Sequence, residues 1–247
     1  MNTVKILNVT QVSYLRSVRH ASWFKAIFKV DKNEPPYSHC VQVGDPSKLN
    51  YKRNRNYPTF AFSALRKIAD PVPPELIKTP EIKFLCSHLE KVREAYNLVG
   101  IACPQIGISL RICILSFGDN LKTKFSPKIY KAKEMSTFPT TVFINPELKV
   151  LDHKKIIFEE GCASVVGLNA EVQRNYSVEV TALDIEGNVF KHQLSGWNAR
   201  IAQHEVDHLN GILFTDIMNP KTLRNTNWEV INTKNGRIEV PYYPTKK

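Results

Sequence analysis

His204 and His208 stand four residues apart, with Glu205 directly after the first. A helix advances about 100° per residue, so both imidazoles fall on one face with the carboxylate beside them. This H-E-x-x-H spacing lets two imidazoles hold a metal ion while the carboxylate handles protons. A catalytic metal usually takes three protein ligands and keeps one position open, so the third ligand decides the class of enzyme. In metzincin proteases the motif runs on as H-x-x-G-x-x-H. Here Gly211 obeys it, and Phe214, which cannot ligate, takes the place of the third histidine. Glu229 and Glu239 are the glutamates left downstream, both in a polar stretch with no clear helical pattern. Upstream, residues 158–164 (FEEGCAS) set the Cys162 thiol just after a glycine at the end of a predicted strand. A lone cysteine of that kind is more often packing than ligand.

Cys162 is not alone, because residues 99–107 (VGIACPQIG) complete a set of three stretches. Gly100-Ile101-Ala102-Cys103-Pro104-Gln105, Glu160-Gly161-Cys162-Ala163-Ser164 and Gln203-His204-Glu205-Val206-Asp207-His208 follow one another in that order. On these motifs the chain resembles the peptide deformylases, whose signatures are G-x-G-Φ-A-x-P-Q, E-G-C-x-S and Q-H-E-x-D-H. The resemblance spans roughly residues 60–230, and the flanking SGWNAR and FTDIM runs are most similar to the animal mitochondrial branch.

The resemblance implies that Cys162, His204 and His208 bind one divalent metal, with water in the fourth position. One soft sulfur and two borderline nitrogens suit Fe(II) or Zn(II), with Co(II) a substitute in vitro. It also implies the reaction: removal of the formyl group from N-formylmethionine at the start of nascent chains. Amide hydrolysis needs an activated water, donors for the oxyanion and a proton for the leaving amine. Glu205 is the expected proton carrier. The Gln105 amide and the Ala163 backbone N–H are the expected oxyanion donors, each such donor being commonly worth about 3–4 kcal/mol in the transition state. Gly100 is expected to let the backbone approach the substrate closely. Glu160 is expected to brace the cysteine loop by pairing with Arg174, as family members suggest. Asp207 either supports a ligand from behind or makes a structural ion pair. The chain departs from the family at Leu98, where the first signature begins with glycine. It departs again at Ala163 and Val166, where bacterial members usually carry leucine and proline. These positions border the expected substrate groove, so affinity and turnover are expected to differ from bacterial enzymes.

The elements that must position these groups read as an α+β fold. Short, largely antiparallel strands are expected to pack around a central helix bearing the H-E-x-x-H motif. Thr79-Pro80-Glu81 looks like a helix start, with Ile82, Leu85, Leu89 and Val92 as its buried stripe. Residues 111–116, 141–145 and 154–160 read as three separate strands, and 176–194 as a hairpin turning at Glu186-Gly187-Asn188. The metal-binding helix follows, with Asn198 expected as its N-cap and Gly211 past its end.

Over the whole chain the net charge is +11, concentrated in the first 56 residues, where ten Lys/Arg meet three Asp/Glu. Met1 to Val30 contains no acid. Tyr14, Val18, Ala21, Phe24 and Phe28 form one apolar helical face, the composition of a mitochondrial presequence. The expected division is a presequence over 1–30, a linker over 31–58, a catalytic domain over 59–230 and a tail over 231–247. The expected location is the mitochondrial matrix. No window approaches the roughly 18 apolar residues of a membrane span, so stable insertion is not expected. Five cysteines without a CxxC pair argue against a disulfide scaffold and for a reducing compartment. The expected partners are N-formylmethionyl peptides, with a transient mitochondrial ribosome contact, no DNA and room for a homodimer. A zinc endopeptidase is the rival enzyme, disfavoured by Phe214 and by the E-G-C stretch. A catalytically inactive binding protein at the mitochondrial ribosome is the other rival, disfavoured by the intact ligand set and Glu205.

Overall fold

The computed structural model describes residues 64–238. The presequence and linker read from the sequence, and Cys40, lie outside the described residues. The first long helix, α1 (Pro80–Ala95), starts as its sequence dictates. Thr79 is the N-cap and accepts from the Ile82 N–H, Pro80 opens the first turn, and Ile82, Leu85, Leu89 and Val92 are buried. It leads into β1 (Gly100–Ala102), a 3-10 turn over Cys103–Ile106, and β2 (Ile112–Phe117), every residue of which is buried. An excursion then carries α2 (Asp119–Lys122) and α3 (Pro127–Ala132) before the chain enters β3 (Phe138–Cys162). Strands β4 (Val165–Leu183) and β5 (Val189–Ser195) follow, joined by a turn in which the Gly187 N–H donates to Asp184. The chain continues through α4 (Gly196–Leu209), α5 (Phe214–Ile217), β6 (Arg224–Asn225) and α6 (Trp228–Thr233).

The strands form one antiparallel sheet in the order β1-β2-β3-β4-β5, with β6 added to β4. Two expectations are corrected here. Residues 141–145 and 154–160 belong to a single 25-residue strand paired with a 19-residue partner, so the sheet is not built of short strands alone. Register shifts between Ile144 and Glu147, Val150 and Asp152, and Asp152 and Lys155 interrupt the ladder. Extra residues of this kind bend and twist a strand, and they break the alternating pattern that a sequence reading follows. The N-cap of α4 is Ser195, not Asn198; the Asn198 amide lies inside the helix and donates to Ser136 Oγ at 2.9 Å.

Helix α4 lies on the sheet. Ala199, Ile201, Ala202 and Leu209 pack with Ala102, Cys113, Leu115, Phe143, Val178, Val180 and Leu194 into the main core. Gly211 adopts φ +74° in the turn that follows, and a Cβ there would sit 2.9 Å from the Arg66 backbone. Phe214 is buried against Val165, Ala170, Val172 and Leu213, a packing residue at the position a metzincin gives to a ligand. Cys86, Cys103 and Cys113 are buried free thiols, and burial pushes Cys86 up to about 12. No described helix is long and apolar enough to cross a membrane.

Candidate metal centre and active site

Three elements converge at the end of the sheet. Helix α4 stacks His204 and His208 on one face, their ring centroids 4.9 Å apart and their planes at 79°. Strand β3 ends at Cys162, whose Sγ lies 3.3 Å from His208 Nε2. One ligand atom from each of Cys162, His204 and His208 lies within 4.8 Å of the others, and no other such cluster occurs among the described residues. Tetrahedral zinc with bonds of about 2.3 Å to sulfur and 2.0 Å to nitrogen needs S···N edges of about 3.5 Å. The donor set fits a divalent ion in size and in chemistry. The charge state agrees. Burial by itself would raise the Cys162 thiol, but His208 and His204 outweigh it and hold it well below its ordinary range. A thiolate is the ligating form.

Glu205 occupies the same pocket from the helix side. It is 4 % exposed, and its Oε2 has no hydrogen-bond partner among the described residues. Burial pushes its carboxyl up to about 7, against the pull of His204 and His208. The space it fills comes from β1, because a Cβ on Gly100 would stand 2.4 Å from Glu205 Oε1 and 2.7 Å from its Cδ. The sequence reading gave this glycine to the substrate; its missing side chain makes room for the Glu205 carboxylate.

The first motif supplies Gln105 from the 3-10 turn after β1. Its Oε1 accepts from the Ala102 N–H at 2.9 Å, which aims Nε2 at Ser164 Oγ, 3.3 Å away, and towards Cys162 Sγ at 3.7 Å. Gln105 is 2 % exposed, so it is not a solvated turn residue. Ala163 and Ser164 form the tight turn between β3 and β4, with Ala163 half-buried and the Ser164 N–H donating to Cys162 Sγ at 3.4 Å. The structure therefore gathers Cys162, His204 and His208 at one point, with Gln105 and the Ala163 turn beside the thiol and Glu205 on the helix of the two histidines, its carboxylate against Gly100.

Behind the ligands lies a buried ionic network. Glu160 Oε2 is 3.0 Å from His204 Nδ1, which leaves the Nε2 of that ring for a metal. Arg174 donates to both Glu160 oxygens at 2.9 Å and also pairs with Asp207. Asp207 thus makes an ion pair, one of the two roles left open for it. Gln203 is a tie between helix and sheet, accepting from the Asn175 N–H at 3.0 Å and donating to the Asn175 carbonyl at 2.9 Å. Burial by itself would raise the Glu160 carboxyl, but its bonds to Arg174 and His204 outweigh it and hold it well below the usual range. Sequence reasoning missed Arg200, which donates to Glu160 Oε1 at 2.6 Å. The signal was available: Arg200 is a cation one turn before His204, between Ala199 and Ile201 of the core-facing stripe.

The family model for polypeptide deformylase matches residues 57–224. The mitochondrial peptide deformylase of Homo sapiens is 38 % identical over 199 residues, covering 81 % of this chain and 75 % of that protein. The chloroplastic peptide deformylase 1A of Solanum lycopersicum is 36 % identical over 217 residues, covering 87 % and 71 %. Among solved structures, the Met-Ala-Ser-bound class I type b peptide deformylase of Acinetobacter baumannii superposes with a TM-score of 0.58 at 28 % identity. That match covers 72 % of this chain and 96 % of the other. The chain belongs to the peptide deformylase family, metal-dependent hydrolases that remove the N-formyl group from nascent polypeptides.

Proposed function

We propose that Cys162, His204 and His208 hold the catalytic ion, Fe(II) or Zn(II), and that Glu205, Gln105 and Ala163 carry out deformylation around it. The observation that supports this most is the convergence of one sulfur and two imidazole nitrogens within 4.8 Å, on a helix whose Glu205 has a buried oxygen without a partner among the described residues. When bound, the ion supplies Lewis acidity, which lowers the pKa of a water from about 15.7 towards 7. Glu205 takes the proton of the attacking water and delivers it to the leaving amine of methionine. Gln105 Nε2 and the Ala163 N–H donate to the oxyanion that develops on the formyl oxygen. Gly100 admits the Glu205 carboxylate, and its backbone lies on β1, which pairs with β2 alone among the described strands and so keeps an edge for an extended substrate.

The catalytic domain in this reading is 59–230, between a presequence over 1–30 with its linker over 31–58 and a tail over 231–247. The acid-free amphipathic start and the mitochondrial relative support action in the mitochondrial matrix. The net charge of +11 supports a transient contact with the mitochondrial ribosome. The decisive measurement is formate release from formyl-Met-Ala by protein loaded with one equivalent of Fe(II) or Zn(II). Release without cleavage of an internal peptide bond is the expected result. Internal cleavage supports the endopeptidase, and neither product supports an inactive binding protein.

A further inference from the structure

Arg200 is a costly residue to bury near the site. It is 2 % exposed, burial lowers its pKa, and its Nε has no partner among the described residues. Its two terminal nitrogens both donate. Nη1 donates to Glu160 Oε1 at 2.6 Å and to the Val172 carbonyl at 2.9 Å, and Nη2 donates to the Ile156 carbonyl at 2.8 Å. The guanidinium also lies over the Phe158 ring, 5.3 Å from its centroid. Glu160 does not need this arginine for charge pairing, because Arg174 already grips both of its oxygens. A second buried arginine adds desolvation that ion pairing repays only in part, so stability alone is a weak reason for its presence.

The geometry gives a better one. Arg200 and His204 are one turn apart on α4 and hold the two oxygens of the same carboxylate: Arg200 takes Oε1 and His204 takes Oε2. That carboxylate sits on β3 two residues before Cys162. The same guanidinium also binds carbonyls of β3 and β4, so it fixes the helix that bears two ligands against the strand that bears the third. We propose that Arg200 is a positioning residue of the metal centre: through Glu160 it sets the orientation of His204 and its separation from Cys162, and so governs how firmly the ion is held. This rests on the ligand set proposed above.

The test compares the wild-type chain with Arg200→Met and Arg200→Lys, each loaded with one equivalent of Co(II). The rate of cobalt loss to EDTA, the visible cobalt spectrum, the unfolding temperature of the metal-free protein and KM and kcat for formyl-Met-Ala are read together. Methionine keeps much of the volume and leaves Glu160 paired with Arg174. The expected result is a cobalt affinity lower by ten- to a hundredfold, with faster loss and a changed spectrum. The metal-free unfolding temperature and KM stay near wild type, and lysine restores retention in part. Unchanged cobalt loss and spectrum, with a lowered metal-free unfolding temperature, reduce Arg200 to a structural clamp and overturn the proposal. If the methionine variant does not fold, the lysine variant decides: it keeps the charge but not the planar fork, so wild-type retention and spectrum overturn the proposal. A wild-type chain that binds no cobalt removes the ligand set itself, and the proposal with it.

Discussion

The roles proposed for Glu205 and Ala163 differ in which atom does the work, and substitutions can separate those atoms. Glu205→Gln preserves the size of a side chain packed into the slot left by Gly100 and removes only proton transfer. Turnover is expected to fall by about 10²–10⁴-fold while the ion is retained. Metal content measured beside formate release checks this; near-normal turnover in the loaded variant takes Glu205 out of the mechanism. Ala163 is assigned a backbone hydrogen, so its side chain should matter little. Ala163→Leu should keep kcat and alter KM, because the wall of the groove changes. Ala163→Pro deletes the N–H and is expected to lower kcat by roughly 10²-fold or more. Proline also fixes φ, so the comparison counts for a variant that binds one ion and unfolds near the wild-type temperature. Ordinary turnover in such a variant leaves the oxyanion to Gln105 and the metal.

At the scale of elements, the site depends on how closely β1 approaches α4. A methyl group at position 100 would come within 2.8 Å of Glu205 Cγ as well as its carboxylate, so the whole end of that side chain must move. Gly100→Ala is therefore expected to fold and bind metal, yet lose about 10²-fold in kcat, the typical effect of a displacement near 1 Å at a reacting centre. Wild-type kcat in this variant shows that Glu205 tolerates the shift. The turn between α4 and α5 depends on Asp216, which pairs with Arg66 and accepts from the Leu213 N–H at 2.8 Å. The Arg66 hydrogen bond and the Leu213 N–H hold the Asp216 carboxyl below its ordinary value, against burial. A depressed carboxyl adds stability above its unfolded pKa, near 4, and the gain disappears as pH falls through the folded value. The side chain is 36 % exposed, so Asp216→Asn should cost only about 0.5–1 kcal/mol at neutral pH. Urea unfolding of both proteins from pH 8 down to pH 3 should show a constant gap that closes below pH 4. A gap that widens in acid contradicts this account.

For the whole molecule, basic charge and chemistry are expected to separate along the chain. A reporter fused to residues 1–30 is expected to enter mitochondria, and the chain without residues 1–58 is expected to keep wild-type kcat on formyl-Met-Ala. A cytosolic reporter, or a shortened chain that does not fold, counts against that division. What the sequence by itself determined is the chemistry of contiguous runs. His204, Glu205 and His208 were legible because helical periodicity converts a spacing of four into one face, and the three family signatures located Cys162 and Gln105. The capped start of α1 was legible for the same local reason, as was the hairpin of β4 and β5. Tertiary structure decided what depends on residues distant in the chain. Gly100 meets Glu205 across 105 positions, and Arg200 meets Glu160 across 40; no spacing rule relates such pairs. Residues 141–145 and 154–160 became one strand because cross-strand hydrogen bonds to β4 carry the pairing through bulges that hide the alternation. Ser195, not Asn198, became the cap because the helix begins at Gly196, which leaves Asn198 inside it with its amide donating to Ser136, far upstream. Local pattern specifies which groups are available, and long-range packing specifies which of them touch.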